Sequence, residues 1–265
     1  MDQSGEAVHY STKSGEISKG VMYTDNGFWD TYRTLYPLFV LIIPDRLKEI
    51  LEGYLNFYKE EGWLPKWLSP GERGIMPGTL IDAVLADAVV KGILTKEQSE
   101  LALEAMLKNA TVPADTNLNG RTGIGDYTKL GYIPSDKYKE SVNNSLDAYY
   151  CDFCISQVAK MLGRSGIHDE YLLRSRGYTQ LFDQKAGFIR GMKADGSREE
   201  VFSPIAWGGD YCEGSACRTG LRFITILSSL RSFMAAGSSL KRSLTSCLAH
   251  RLYLKSELTL ARSMK

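Results

Sequence analysis

No apolar run in this sequence comes near the roughly 18 residues that a membrane-spanning helix needs. The apolar stretch Leu38–Ile43 is short, and Pro44 ends it. The opening residues, MDQSGEAVHYSTKSGE, hold no basic segment followed by an apolar one, so no signal peptide is expected. Excess charge is missing too. Lys and Arg number 32 against 31 Asp and Glu, a formal net charge of +1, and no basic stripe runs through residues 1–200. That balance argues against nucleic acid as a general partner. Cysteines at framework spacing are also lacking: Cys151, Cys154, Cys212, Cys217 and Cys247 make an odd count. Cys151 and Cys154 have CxxC spacing, but no second pair follows to complete a zinc site. The spacing fits two positions one turn apart on a helix, one of them buried.

What is present fits a globular chain. A hydrophobic fraction of 43% with 24% charged residues is ordinary for a soluble domain, and 265 residues can hold one large domain or two small ones. The even totals hide a break. Residues 217–265 carry nine Lys and Arg against one acid, Glu257, and nine serines; the sequence before them keeps 23 basic and 30 acidic residues.

Apolar residues at helical spacing follow a polar lead-in over residues 1–24. The stretch from Gly27 runs into a helix through Ile43, and Pro44 opens a second with Leu47, Ile50, Leu51, Tyr54, Leu55 and Tyr58 on one side. A third is expected from about Thr79 to Lys91. Thr95 caps a fourth, with Glu97 and Gln98 in its first turn, lasting to about Lys108. Residues 110–134, with four glycines, read as loop. Ser141–Leu162 and Asp169–Leu181 are the fifth and sixth helices, and the stretch 187–201 reads as a hairpin turning at Asp195-Gly196. Paired helices with little strand signal imply an all-α fold, an incomplete (α/α)6 toroid of helical hairpins with a small β-hairpin insertion. A helical solenoid is the rival, but no fixed period is visible.

Chemistry concentrates in Ala206–Ala216, AWGGDYCEGSA. Asp210 and Glu213 lie three apart in a glycine-rich loop, and Trp207 and Tyr211 offer flat faces of the kind that stack on sugars. A carboxyl held against aromatic surface keeps its proton more easily, as a general acid must. The plainer reading is a glycine turn with an N-cap aspartate. Asp30, likewise, could pair with Arg33 or Arg46 on a helix surface, Trp29 could be core, and Asp82 and Asp87 fall on different helix faces.

Four motifs, GFWDTYRTLYPL, MPGTLIDAVLADAVVKG, LGYIP and WGGDYCEGSA, occur in this order. Together they closely resemble the catalytic domain of glycoside hydrolase family 92, the calcium-dependent, exo-acting, inverting α-mannosidases, over about residues 5–216. The resemblance implies an (α/α)6 barrel preceded by a β-sandwich, and α-mannoside substrates such as those of N-glycans. It makes Glu213 the general acid and places Trp29 and Asp30 against the terminal mannose. Arg33, Trp207 and Asp210 join them as candidate substrate-binding residues. Calcium is the implied cofactor, a hard cation that takes oxygen ligands. Full-length relatives are expected to be secreted or periplasmic.

The resemblance breaks at both ends. No β-sandwich precedes it, and after Ala216 the expected Trp-Gln is replaced by Cys217-Arg218. Back-translated with suitable codons and shifted by one base, CRTGLRFITI becomes WQNGFAVYHD, which is family-like, and two later stretches behave likewise. Two parts are therefore expected: residues 1–216 as a partial catalytic domain, and residues 217–265 as a frameshifted, poorly ordered tail. The resemblance puts the general base beyond this point, so the chain is expected to keep the acid, lose the base and be inactive as written. The alternatives are a non-enzymatic remnant that binds mannosides weakly, or another α/α-toroid glycosidase.

Overall fold

The computed structural model describes residues 5–116 and 118–223, which fall into two compact units. Unit 1 holds the described residues up to Ile133 together with Asn144–Gly177; unit 2 holds Pro134–Asn143 and the described residues from Tyr178 onward. The chain is mostly helical with three two-stranded antiparallel sheets, as the all-α reading with small hairpins requires.

Unit 1 begins with a hairpin, β1 (Val8–Tyr10) against β2 (Ile17–Lys19), in the register Val8↔Lys19. Next come β3 (Asn26–Gly27), α1 (Phe28–Thr31), α2 (Leu35–Ile42) and α3 (Pro44–Glu61). Then β4 (Trp67–Leu68), paired with β3, leads to α4 (Ile81–Val90), α5 (Lys96–Thr111) and α6 (Ile124–Leu130). Helix α7 (Ser141–Met161) starts in unit 2 by its first three residues and continues in unit 1, followed by α8 (Ser165–Arg174) and a 3-10 turn at Ser175–Gly177. Unit 2 continues with α9 (Tyr178–Leu181), β5 (Phe182–Asp183), its partner β6 (Phe188–Ile189) and α10 (Ala216–Phe223).

Local chemistry accounts for most of these boundaries. Pro44 stands in the first turn of α3, where its missing N–H is not needed, and Gly62 closes that helix left-handed at φ 81°. Thr95 and Gln98 form both halves of a capping box, at 3.2 and 3.0 Å. The helix expected through Ile43 is α2, preceded by the separate short turn α1. Pro37 clashes with the carbonyl four residues back and gives no N–H, so it is tolerated only in a first turn. The chain breaks at Thr34 (φ −127°) and restarts as α2 with Pro37 near its beginning. Two of the glycines that signalled a loop over residues 110–134 are the left-handed caps of α6: Gly123 at φ 66° and Gly131 at 79°. The expected hairpin also moves. Its ladder pairs Phe182 with Ile189, while Asp195-Gly196 forms a turn with irregular flanks. Of the expected tail, residues 217–223 lie in α10, with Thr219 buried; residues 224–265 are outside the described part. None of the described helices is long and apolar enough to cross a membrane.

The core of unit 1 gathers Phe28, Leu47, Leu51, Leu55, Leu85 and Met106 with many smaller apolar residues. Cys151 and Cys154 lie one turn apart on α7 as free thiols, and both are buried. Set into this core is a polar cluster. Arg121 bonds Asp152 at 2.5 Å and Asp82 at 3.3 Å, and all three side chains are shielded from solvent. Asp152 also accepts from Tyr127 at 2.7 Å and Arg174 at 3.1 Å, and Thr79 donates to Asp82 at 3.1 Å. Asp87, by contrast, pairs at the surface with Lys91, so the two aspartates of α4 do face differently. Burial pushes the Asp82 carboxyl up to about 6 against the pull of Arg121, consistent with its Oδ1 having no hydrogen-bond partner among the described residues.

Removing one member of such a cluster strands buried charge. Arg121→Ala is expected to destabilise unit 1 by about 3–5 kcal/mol, read as a lower urea midpoint. Asp82 supplies a pH signature. Its folded pKa lies above the unfolded value of about 3.9, so the unfolded chain releases this proton first as pH rises. The group's contribution is therefore present below pH 4 and lost between about 4 and 6. Asp82→Asn should flatten the pH dependence of unfolding in that window; an unchanged slope assigns it to other groups.

Candidate active site

The candidate residues fall into two groups, one in each unit. In unit 1, Trp29 and Asp30 sit on α1 with Arg33 just beyond it. Phe28 anchors this turn. It is fully buried, 6.0 Å from the Tyr36 ring and edge-on to Tyr54 at 4.9 Å. Beneath it runs a hydroxyl chain: Asn26 Nδ2 donates to Tyr36 Oη at 2.6 Å, and Tyr36 and Tyr54 share a bond of 2.9 Å. Gly27 is required by close approach, because a Cβ there would stand 2.4 Å from the Trp67 ring. The sequence points outward from this mount. Trp29 is half-buried and packs its inner edge on the core, while Asp30 is exposed. Arg33 does not pair with Asp30 as the plainer reading had it. Its Nε donates to Tyr32 Oη at 2.7 Å, and its guanidinium lies over the Tyr32 ring at 5.0 Å and the Trp29 ring at 6.0 Å. Arg46 is engaged with Glu49 and Tyr23. The turn thus presents a carboxylate beside an aromatic edge, a pairing that suits the hydroxyls and the apolar face of a sugar.

In unit 2, the loop from Trp207 to Gly214 closes on itself through Gly208 N–H to Gly214 O at 2.8 Å. Gly208 and Gly209 take φ 82° and 66°, the turn that the glycines promised. Glu213 is exposed and held left-handed at φ 44°, where non-glycine residues are uncommon. Arg218, on α10, donates to the Glu213 carbonyl at 2.8 Å and lies 5.7 Å from the centre of the Trp207 ring. Strain of this kind collects at functional sites when the surroundings enforce it.

Tyr211 and Asp210 take structural roles. Tyr211 is buried and its hydroxyl donates to Ile189 O at 2.8 Å, so it clamps the loop to β6. Trp207 is the aromatic face that remains open, with 69% of its surface exposed. Asp210 is half-buried. Its Oδ1 accepts from Ser141 Oγ at 2.9 Å, and its backbone carbonyl accepts from Val142 N–H at 3.0 Å and Asn143 N–H at 3.3 Å. Burial pushes its carboxyl above the usual range, partly offset by Ser141. Asp210 does cap a helix, but the helix is α7, far back in the sequence. The supporting residues Glu140, Ser141 and Gly191 carried no local motif, which is why they were not among the candidates.

No group of three or more Asp, Glu, His or Cys among the described residues is placed to share one metal ion.

A family model described as the glycosyl hydrolase family 92 catalytic domain matches residues 1–259, running past Ala216. A family GH92 inverting mannosidase from Bacteroides thetaiotaomicron VPI-5482 is 38% identical with a TM-score of 0.79, over 83% of this chain and 30% of that one. A family GH92 α-mannosidase from Bacteroides thetaiotaomicron, solved with mannoimidazole, is 30% identical with a TM-score of 0.73, over 81% of this chain and 29% of that one. An uncharacterized secreted glycosidase of Arthroderma benhamiae is 34% identical over 148 residues, 52% of this chain and 19% of that protein. The chain therefore spans less than a third of each of these relatives.

The buried hydroxyl of Tyr211 gives a direct check on its role. Tyr211→Phe leaves the Ile189 carbonyl unpaired and is expected to destabilise unit 2 by about 1 kcal/mol. Hydrogen exchange at the loop amides should rise with it; unaltered exchange would mean that the clamp is not this bond.

Proposed function

Because this chain belongs to glycosyl hydrolase family 92, we propose that it carries the proton-donating half of an inverting, exo-acting α-mannosidase, with α-linked mannosides such as N-glycan termini as substrates. The observation that carries this reading is Glu213: an exposed carboxyl on a backbone held at φ 44° in a loop closed by its own hydrogen bond. Glu213 donates its proton to the glycosidic oxygen as the bond from that oxygen to the anomeric carbon breaks. The family resemblance assigns Trp29 and Asp30 to the terminal mannose; by themselves they offer an apolar face and a hydroxyl acceptor.

Inversion also needs a carboxylate roughly 6.5–9.5 Å from the acid, to deprotonate a water on the opposite face of the sugar. The resemblance puts that base beyond Ala216, in sequence that a single-base loss at the Cys217 codon would scramble. On this reading the described residues supply the proton donor, and water activation belongs to sequence beyond Ala216. Calcium, where the missing shell is restored, would fix the ring through its hydroxyl oxygens.

Restoring the frame at Cys217 and extending the chain to the full domain should give calcium-dependent release of mannose from an α-linked mannobiose. In that background, Glu213→Gln should lower kcat by about 10²–10⁴-fold on the disaccharide and much less on a dinitrophenyl mannoside, whose leaving group needs no acid. Equal loss on both substrates would remove Glu213 from the acid role.

A further inference from the structure

The Glu213 loop is held from outside by the start of one helix. Four bonds make the connection, all within unit 2: Glu140 N–H to Gly209 O at 2.9 Å, Val142 N–H to Asp210 O at 3.0 Å, Asn143 N–H to Asp210 O at 3.3 Å, and Ser141 Oγ to Asp210 Oδ1 at 2.9 Å. The backbone amides at the start of a helix have no partner inside it, and here a single residue of the loop takes two of them. Both sides of this clamp hold a carboxylic residue left-handed: Glu140 at φ 54° and Glu213 at φ 44°. Residues with a Cβ are disfavoured in this conformation, and the bonds across the clamp hold both there. Space is closed on the remaining side. A Cβ at Gly191 would stand 2.1 Å from Asp210 Oδ2 and 3.0 Å from Ser135 Cβ.

We propose that Asp210 is a positioning residue, which fixes the Glu213 loop to the first turn of α7 through Ser141 and does not itself touch the sugar. The inference rests on the reading of Glu213 as the acid, and it reassigns a residue that the motif alone would have put in contact with substrate.

The test uses the full chain, with two separate readouts: hydrogen exchange of the amides over residues 208–213, and calorimetric affinity for mannoimidazole. Asp210→Ala and Ser141→Ala should each speed exchange there by about tenfold and weaken binding together, with little further change in the double variant. Asp210→Asn keeps an acceptor for Ser141 and should restore both readouts most of the way. Gly191→Ala, which displaces the carboxylate without altering it, should reproduce the Asp210→Ala exchange pattern. If Asp210 contacts the sugar, Asp210→Asn binds as poorly as Asp210→Ala while Ser141→Ala binds normally, and the proposal fails. Unchanged loop exchange in Asp210→Ala overturns it as well. If the parent chain binds no mannoimidazole, the sugar site is not formed in this polypeptide, and the exchange data still decide whether Asp210 anchors the loop.

Discussion

One buried guanidinium sets the geometry of unit 1. Arg121 reaches Asp82 on α4 and Asp152 on α7, and Asp152 is shared with Tyr127 on α6 and Arg174 on α8. Four helices therefore meet around a charge that has left water. The desolvation of such a cluster roughly cancels its Coulomb attraction, so its value is directional rather than cohesive. Apolar contacts among Leu51, Leu85, Met106 and their neighbours hold the helices together, and the arginine dictates the orientation in which they do so. The candidate turn at Trp29 and Asp30 is mounted on the same core through Phe28. Its outward angle is inherited from that packing and from the hydroxyl chain of Asn26, Tyr36 and Tyr54.

Features that depend on residues near one another in sequence were legible from the chain alone. Pro44 at a helix start, the Thr95–Gln98 box and the left-handed glycines of the 208–209 turn follow from local chemistry, and the structure has them. The clash of Pro37 with the preceding turn accounts for the break between α1 and α2. Two of the glycines over residues 110–134 cap α6, and a glycine cap and a glycine loop look alike without a long apolar pattern between them. The hairpin at Val8–Lys19 has strands of three residues in a polar stretch. It is secured by His9, which bonds Glu60 at 2.7 Å and Gly20 O at 3.0 Å. No period can reveal a short hairpin that is anchored by a side chain on α3.

The candidate site divides along the same line. Glu213, Trp29, Asp30 and Trp207 were found by motif, and each presents a surface that a sugar could meet. Tyr211 and Asp210 belong to the same motif, yet the Tyr211 hydroxyl bonds Ile189, and Asp210 gives one carboxylate oxygen to Ser141 and its carbonyl to the start of α7. A motif records which residues travel together; it does not separate those that touch a ligand from those that hold the touching residue still. That distinction needs partners such as Ser141 and Gly191, which lie far away in sequence and belong to no recognisable pattern.

Arg218 connects the loop to the question of reading frame. Its guanidinium donates to the Glu213 carbonyl and lies near the Trp207 ring, two contacts that stabilise the strained end of the loop. In the shifted frame the same position is glutamine. A glutamine amide can donate one hydrogen bond to that carbonyl, but it has neither the charge to sit against an aromatic face nor a second set of donors. In that frame the Trp207 ring, already mostly exposed, would lose its neighbouring guanidinium while the tie to Glu213 is kept. The two frames would thus differ in what faces the Trp207 ring and agree on the backbone tie at Glu213.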